Sequence, residues 1–261
     1  MNVAVCIKYV AETPKVEIDP QTSALIRAEG KMIINPFDMY ALEEGVQLKE
    51  RYGAKVTAIS MGRPEAVEAL REAIALGVDE AVLLSDPLFD DSDTLATAHV
   101  LAMAIEKLDQ SAVIICGRQA IDGDTGQVAP ELAERLGLPF ASCVSKIEEI
   151  HDNHMRLQRM VDEGHQVVEV SLPLVISVVK EINVPRLPSL RGLMQSKKAD
   201  IPTWTAKELG IDANQTGLAG SPTRIGKVFF PEKAEQGELL EGTPDSQVDQ
   251  LLDKLRDAKV I

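Results

Sequence analysis

The sequence predicts an α/β protein: a doubly wound, mostly parallel sheet with an antiparallel addition and a C-terminal arm. Three observations predict it. Apolar, β-branched runs at residues 2–8, 55–61, 81–84 and 112–116 lack period-two alternation, as strands buried on both faces do. Segments of helical periodicity separate them, and strands alternating with helices at this spacing imply parallel strands with helices on both faces. From Ala141 the pattern turns to period-two alternation, and beyond Lys180 regularity fades.

Residues 2–8, NVAVCIK, form the first buried strand. In the polar segment that follows, KVEID and ALIR are short enough to pair as a surface hairpin around Pro20–Ser23. INPFDMYALEEGVQLKERYG then offers Asn35 or Asp38 as the cap of a helix with Met39, Leu42, Val46 and Leu48 on its apolar face and Gly53 at its end. Lys55–Met61 is the second strand, and a helix over Ala66–Leu76 leads to the third, Ala81–Leu84. Ser92, Asp93 and Thr94 form a capping cluster for the helix that runs into the fourth strand, Ala112–Cys116.

From Ala141, SCVSKIEEI, HMRLQRMV, HQVVEVSLP and LVISVVK read as an antiparallel addition with turns at Asp152-Asn153 and Glu163-Gly164. Farther on, a helical triplet of Leu190, Leu193 and Met194 sits among Arg186, Arg191, Lys197 and Lys198 in an otherwise acidic chain. Residues 201–245 read as extended and loop-rich, without an evident core. Val248, Leu251, Leu252 and Leu255 then stripe a short charged helix, which is marginal alone and needs a surface, best supplied by a partner subunit.

The chain is organised around residues 112–137, AVIICGRQAIDGDTGQVAPELAERLG. The strand breaks at Gly117 into a loop rich in Gly and Asp. A helix follows, with Thr125 as its expected N-cap, Pro130 near its start and Gly137 at its end. Free backbone N–H groups and a positive helix end converge on a spot that suits a phosphate, although the same pattern also serves as a plain βα turn. The loop is neither GxxxxGK[S/T] nor GxGxxG, so it is not an ordinary P-loop or dinucleotide fingerprint. Asp122 and Asp124 oppose an anion unless they turn outward or accept from the loop's own amides. Ligands of such sheets sit at the carboxyl ends of the strands, so Lys8–Val10, Met61-Gly62 and Gly117–Gln119 are expected to line one crevice.

Composition narrows the function classes. A chain of 261 residues with 45% apolar content buries a full core, and 3% aromatics make that core aliphatic. The formal charge of −14 argues against nucleic acid or an anionic membrane surface as the main partner. No apolar run approaches a membrane span and the N-terminus goes straight into a strand, so a soluble, cytoplasmic protein is expected. Cys6, Cys116 and Cys143 lie in apolar runs without CxxC spacing and are expected to be buried free thiols. His99, His151, His154 and His165 show no metal-ligand spacing with them, so no zinc or iron–sulfur site is expected.

Four stretches in order, VAVCIKYV, INPFDMYALEEGVQLKE, ICGRQAIDGDTGQ and VPRLPSLRGLMQSKK, resemble the small (beta) subunit of electron-transferring flavoproteins. The third is the most specific, and together they span nearly the whole chain. The resemblance implies an adenine-nucleotide alpha-hydrolase-like domain over residues 1–183. Over residues 184–261 it implies an extended arm with a partner-docking loop and a helix that packs on an alpha subunit, which carries an FAD of its own.

By position, it implies cofactor contacts from Cys6, Lys8, Thr13, Asn35, Pro36, Phe37, Asp38, Met61, Asp93 and Thr94. The loop would add Gly117, Arg118, Gln119, Asp122, Gly123, Asp124, Thr125, Gly126 and Gln127. For Asp93 and Thr94 plain helix capping is the competing role. The docking loop would be anchored by Leu190, with Arg186, Arg191 and Met194 around it, against an acyl-CoA dehydrogenase-type flavoenzyme.

In one class of this family the beta site holds structural AMP. In the electron-bifurcating class it holds a second FAD, which takes hydride from NADH and splits the pair, one branch leading to ferredoxin-type carriers. SLRGLM, the short DGDTGQ loop, AGSPT, and AETPKVEIDP with a small Thr13 resemble the bifurcating class, whereas Tyr9 and Ala11 stand where its members usually show Gln and Pro. FAD is therefore the expected beta-site cofactor and AMP the alternative. NADH oxidation is expected only in the heterodimer with its partner dehydrogenase. A stand-alone adenosine-nucleotide-binding regulator or ATP-pyrophosphatase-like enzyme is a further reading, weakened because no SGGxDS loop follows the first strand.

Overall fold

The structure, a computed structural model, describes residues 1–12, 16–18, 25–27, 31–108, 111–226 and 237–261. Thr13, and with it the expectation of a small residue making room in the crevice, lies outside the described residues. Strand β1 (Asn2–Ile7) leads into two short antiparallel ribbons: β2 (Tyr9–Ala11) with β5 (Met32–Ile34), and between them β3 (Val16–Ile18) with β4 (Leu25–Arg27). The second ribbon is the expected hairpin. Helix α1 (Pro36–Tyr52), β6 (Lys55–Met61), α2 (Val67–Leu76), β7 (Glu80–Leu84), α3 (Thr94–Leu108), β8 (Ser111–Gly117) and α4 (Val128–Leu136) then alternate. β9 (Phe140–His151), β10 (His154–Val161), β11 (Gly164–Ser171) and β12 (Leu174–Val178) follow. The last part holds α5 (Leu190–Ser196), β13 (Thr203–Trp204), α6 (Ala206–Leu209), α7 (Gly217–Gly220) and α8 (Pro244–Asp257).

The main sheet has nine strands in the order β11-β10-β9-β12-β8-β1-β6-β7-β13. Its central strands explain the unbroken apolar runs. Val3, Val5 and Ile7 of β1 join Val113 and Ile115 of β8 under Leu42, Val46 and Leu70 of α1 and α2. The alternate residues Ala4, Cys6, Ile114 and Cys116 face Val100, Leu101 and Leu132 of α3 and α4. Both faces of one strand are thus covered, and neither can carry polar side chains at little cost.

Four expectations need correction. Strand β12 is not part of the antiparallel addition: it runs parallel to both β8 and β9 and is inserted between them. Its five residues are all buried, the mark of an interior parallel strand, whereas β10 and β11 alternate and pair antiparallel. The second turn of the addition is one residue earlier than expected, because Val161 pairs with Gly164. Nor do residues 203–221 lack a core. Trp204 extends the sheet beside β7, and Ala206, Leu209 and Ile211 bury themselves against the α3 layer. Short, irregular elements hid this docking from periodicity. Cys143 is also half-exposed rather than buried, while Cys6 and Cys116 are buried free thiols. Among the described residues no helix is long and apolar enough to cross a membrane, and no group of three or more His, Cys, Asp or Glu is placed to hold a metal.

Candidate functional site

The sheet reverses its winding at β1. From β1 the chain adds β6 and then β7 on one side, and β8 is laid down on the other. The crevice outside the carboxyl ends of β1 and β8 is therefore the topological switch point, where ligands of such sheets bind. Parallel pairing brings Ile7-Lys8, Met61-Gly62 and Gly117–Gln119 side by side there, as the strand-end argument requires.

Two buried side chains at the start of α1 hold this crevice together. Asn35 sits at the N-cap position yet caps nothing. Its N–H donates to the Lys8 carbonyl at 2.8 Å, its Nδ2 to the Gln119 carbonyl at 2.8 Å, and its Oδ1 accepts from the Ile121 N–H at 3.2 Å. One asparagine thus staples the turn after β1 to the loop after β8. Asp38, in the first turn of α1, accepts from the Lys8 N–H at 2.7 Å and packs against Gly117. Of the cap roles expected for Asn35 and Asp38, Asn35 makes no side-chain cap bond, and both side chains hold the loop. Neighbouring Pro36 is exposed and Phe37 half-buried at the rim.

Burial pushes the Asp38 carboxyl up to about 7, against the pull of the Lys8, Asn35 and Gly117 hydrogen bonds. The folded chain then keeps a proton that the unfolded chain has released. The stability contributed by Asp38 is full below about pH 4 and is lost as pH rises through about 7. Asp38→Asn is expected to flatten the fall of thermal stability across that window, which a pH series of melting curves checks.

The loop itself runs exposed from Asp122 to Gln127. Its acids are not left facing an anion unpaired. Lys8 Nζ lies 2.7 Å from Asp122 Oδ2, and the Gln119 side chain donates to Asp124 Oδ1. Asp124 itself takes a left-handed φ of 55° and its N–H returns to the Ala120 carbonyl at 2.8 Å. Of the two arrangements expected, the acids take the first: Asp122 and Asp124 are exposed and pair with the Lys8 and Gln119 side chains, so Lys8 is engaged by Asp122. Arg118 is exposed with no acidic partner among the described residues.

Thr125 is not the cap of α4. The helix starts three residues later, at Val128, with Gln127 at the cap position and no side chain bonded there. Gly126, at φ 64°, turns the chain into that start, and Gly123 is exposed in open space. Pro130 falls in the first turn, and Gly137 closes the helix, both as expected.

Asp93 does cap α3, accepting from the Ala96 N–H at 3.0 Å. Its other oxygen takes the Thr223 N–H at 2.9 Å and hydroxyl at 2.7 Å, tying the AGSPT segment to this helix. Burial opposes ionisation of Asp93, but the Ala96 and Thr223 hydrogen bonds outweigh it and hold the carboxyl below its ordinary range. Thr94 donates to Glu131 Oε1 of α4 at 3.1 Å, bridging the two helix starts. The capping role of Asp93 is thus the observed one. Cys6 and Cys116 are register partners whose side chains enter the α3/α4 core, so only their main chain faces the strand ends. Met61 is half-buried at the end of β6.

The family model described as the electron transfer flavoprotein domain matches residues 22–209. The chain belongs to the electron transfer flavoprotein family. It is 44% identical over 262 residues to the electron transfer flavoprotein subunit beta of Thermoanaerobacterium thermosaccharolyticum, the match covering 100% of each chain. It is 41% identical to the acryloyl-CoA reductase electron transfer subunit gamma of Anaerotignum propionicum, and 40% to the caffeyl-CoA reductase-Etf complex subunit CarD of Acetobacterium woodii, again over 100% of each chain. The resemblance carried by the four sequence stretches is therefore borne out at the level of the family and of the beta subunit.

As an electron transfer flavoprotein subunit the chain also carries a second exposed feature, far along the sequence from the crevice. Leu190 stands 82% exposed and Met194 65% exposed on α5, beside Leu187 at 89%. Of the basic rim expected around Leu190, Arg191, Lys197 and Lys198 are exposed. Arg186 departs from that rim: its guanidinium is bound to Glu43 and Glu50 of α1. Sequence reasoning missed these two acids. Their i, i+7 spacing on one face of α1 was the available signal.

Proposed function

We propose that this chain is the beta subunit of a heterodimeric electron transfer flavoprotein whose crevice, at the ends of β1 and β8, holds FAD, and that the heterodimer splits electron pairs from NADH. One branch would run to a ferredoxin-type carrier, the other to an acyl-CoA dehydrogenase-type flavoenzyme. The observation that carries the reading is the loop of residues 117–127, stapled by Asn35 and shaped by Asp38 at the switch point of the sheet.

The residues present fit a dinucleotide. The exposed backbone of Asp122–Gln127 and the uncapped start of α4 suit a phosphate group, with Arg118 as a nearby cation. Gly126 leaves the backbone bare where a phosphate approaches. Main-chain groups after Lys8 and Met61 would read the adenine edge. Bound FAD would supply the hydride and single-electron chemistry, and the chain would supply position, exclusion of water and electrostatics. In this reading residues 1–183 are the nucleotide domain, residues 184–261 the docking arm, and α8 packs on an alpha subunit that carries the second FAD. Leu190, Met194 and Arg191 meet the dehydrogenase. The names of the relatives, one an Etf-complex subunit of a caffeyl-CoA reductase and one an electron transfer subunit of an acryloyl-CoA reductase, support a CoA-thioester partner.

The competing reading places structural AMP in the same crevice, and Tyr9, on β2 beside the strand end, favours it by standing where bifurcating members carry Gln. Acid release of ligands from the purified heterodimer, followed by chromatography, separates the two. Two FAD per heterodimer without AMP is the expected result; one FAD with one AMP would end the bifurcation reading.

A further inference from the structure

Exposed apolar side chains on a loose loop cost ordering entropy on docking; on a fixed element they do not. The segment from Asn183 to Ala199 is fixed at three points. At its start, Asn183 Nδ2 donates to the Tyr40 carbonyl at 3.1 Å and to Glu44 Oε2 at 3.0 Å. Next, Arg186 forks onto two carboxylates of α1: Nε to Glu43 Oε2 at 2.8 Å, Nη2 to Glu43 Oε1 at 3.0 Å, and Nη1 to Glu50 Oε1 at 2.6 Å. Glu43 is buried, yet Arg186 and Gln47 hold its carboxyl below the ordinary range. At its end, Arg71 of α2 donates to the Ser196 carbonyl at 2.8 Å.

Between these points α5 lies backbone to backbone on α2. A Cβ at Gly192 would overlap the Ala75 carbonyl oxygen and come within 3.0 Å of its carbon. Leu187, Leu190 and Met194 nonetheless remain exposed. Their exposure is therefore built in and held, which marks an interaction surface.

We propose that Arg186 is a positioning residue: its fork onto Glu43 and Glu50 pre-organises the Leu187–Met194 surface for an apolar, acid-rimmed patch on the partner flavoenzyme, and makes no contact with that partner itself. The inference rests on the docking role assigned above to Leu190. It differs from the plain reading of Arg186 as a docking cation in the sign of one variant. Glu50→Gln removes half of the fork at an exposed position and leaves the guanidinium held by Glu43 alone, with more of its charge unneutralised. If Arg186 were a docking cation, this variant would lower KM for the dehydrogenase; if Arg186 is a brace, it raises KM.

The test uses the intact heterodimer with a purified acyl-CoA dehydrogenase as electron acceptor. Arg186→Lys, which keeps the charge and loses the fork, and Glu50→Gln are each expected to raise KM for the dehydrogenase by about three- to tenfold. kcat, flavin content and the melting temperature should hold, and the rise should persist at high salt. Amide exchange should quicken in residues 184–190 alone. Leu190→Ala, measured alongside, reports on docking itself. If Leu190→Ala leaves KM unchanged, the docking reading falls. A raised KM for Leu190→Ala beside an unchanged or lowered KM for Glu50→Gln overturns the brace, as does loss of flavin or folded protein in Arg186→Lys.

Discussion

Gly117→Ala is expected to empty the crevice and to destabilise the chain by at least about 3 kcal/mol, an overpacking cost at the upper end of the usual range. A Cβ at this position would overlap Asp38 Oδ1 and stand 2.8 Å from the Phe37 carbonyl carbon and 2.9 Å from the Asp38 nitrogen. Two of those three atoms are backbone in the first turn of α1, which cannot swing aside as a side-chain tip can. Helix α1 would have to retreat from β8. Retreat breaks the Asp38 bond to the Lys8 N–H and pulls Asn35 off the Gln119 carbonyl and the Ile121 N–H. The loop would then lose the shape that a phosphate needs.

Gly126→Ala is the informative control for the same loop. There a Cβ approaches the Arg118 carbonyl oxygen at 3.3 Å and touches the Gln119 Cβ at 3.9 Å, and the main cost is the left-handed φ of 64°, about 1 kcal/mol. Melting curves and bound-nucleotide stoichiometry of the two variants should rank them in that order. A Gly117→Ala protein with full nucleotide content and parental stability would show that α1 and the loop are not mechanically joined.

The layers were legible in the sequence because burial on two faces leaves a pattern of its own. Val3 to Ile7 and Val113 to Cys116 are apolar at every position, and no surface strand affords that. The same signal was present in LVISV of β12, but four strand-like runs in succession invited a single antiparallel reading. Strand insertion is a long-range choice that no local period encodes. The loop after β8 was legible as a place and not as a mechanism. Asn35 and Asp38 stood out as cap or contact, but a single sequence shows which polar residues start a helix and not what lies 84 residues on at Gln119. Thr125 was chosen for its cap chemistry, while the left-handed Asp124 and Gly126 delay the helix to Val128. The arm was under-read for a different reason: Ala206, Leu209 and Ile211 are too few and too closely spaced to raise a periodic signal, although they complete the α3 layer.

Deleting residues 244–261 is expected to leave the fold of this chain intact and to abolish capture of the alpha subunit. Helix α8 is well built as a helix. Thr243 caps it, accepting from the Ser246 N–H at 3.4 Å, Pro244 opens it, Asp245 lies in its first turn, and Lys254 and Arg256 lie in its last. Yet none of its residues is buried, and Val248 is 55% and Leu251 47% exposed. A helix of 14 residues whose apolar stripe is nowhere buried among the described residues is marginal by itself. Its apolar stripe is offered to a surface that the described residues do not supply. Val248, Leu251, Leu252 and Leu255 would each stabilise a complex by about 1.5–3 kcal/mol if fully buried. At half that value, about 4 kcal/mol in all, their removal weakens binding by roughly a thousandfold. The truncated chain should therefore melt where the full chain melts, because α8 adds nothing to either core, and should elute alone when co-expressed with the alpha subunit. Size-exclusion chromatography with light scattering reads both results, and a truncated chain that still elutes as the heterodimer would refute the role assigned to α8.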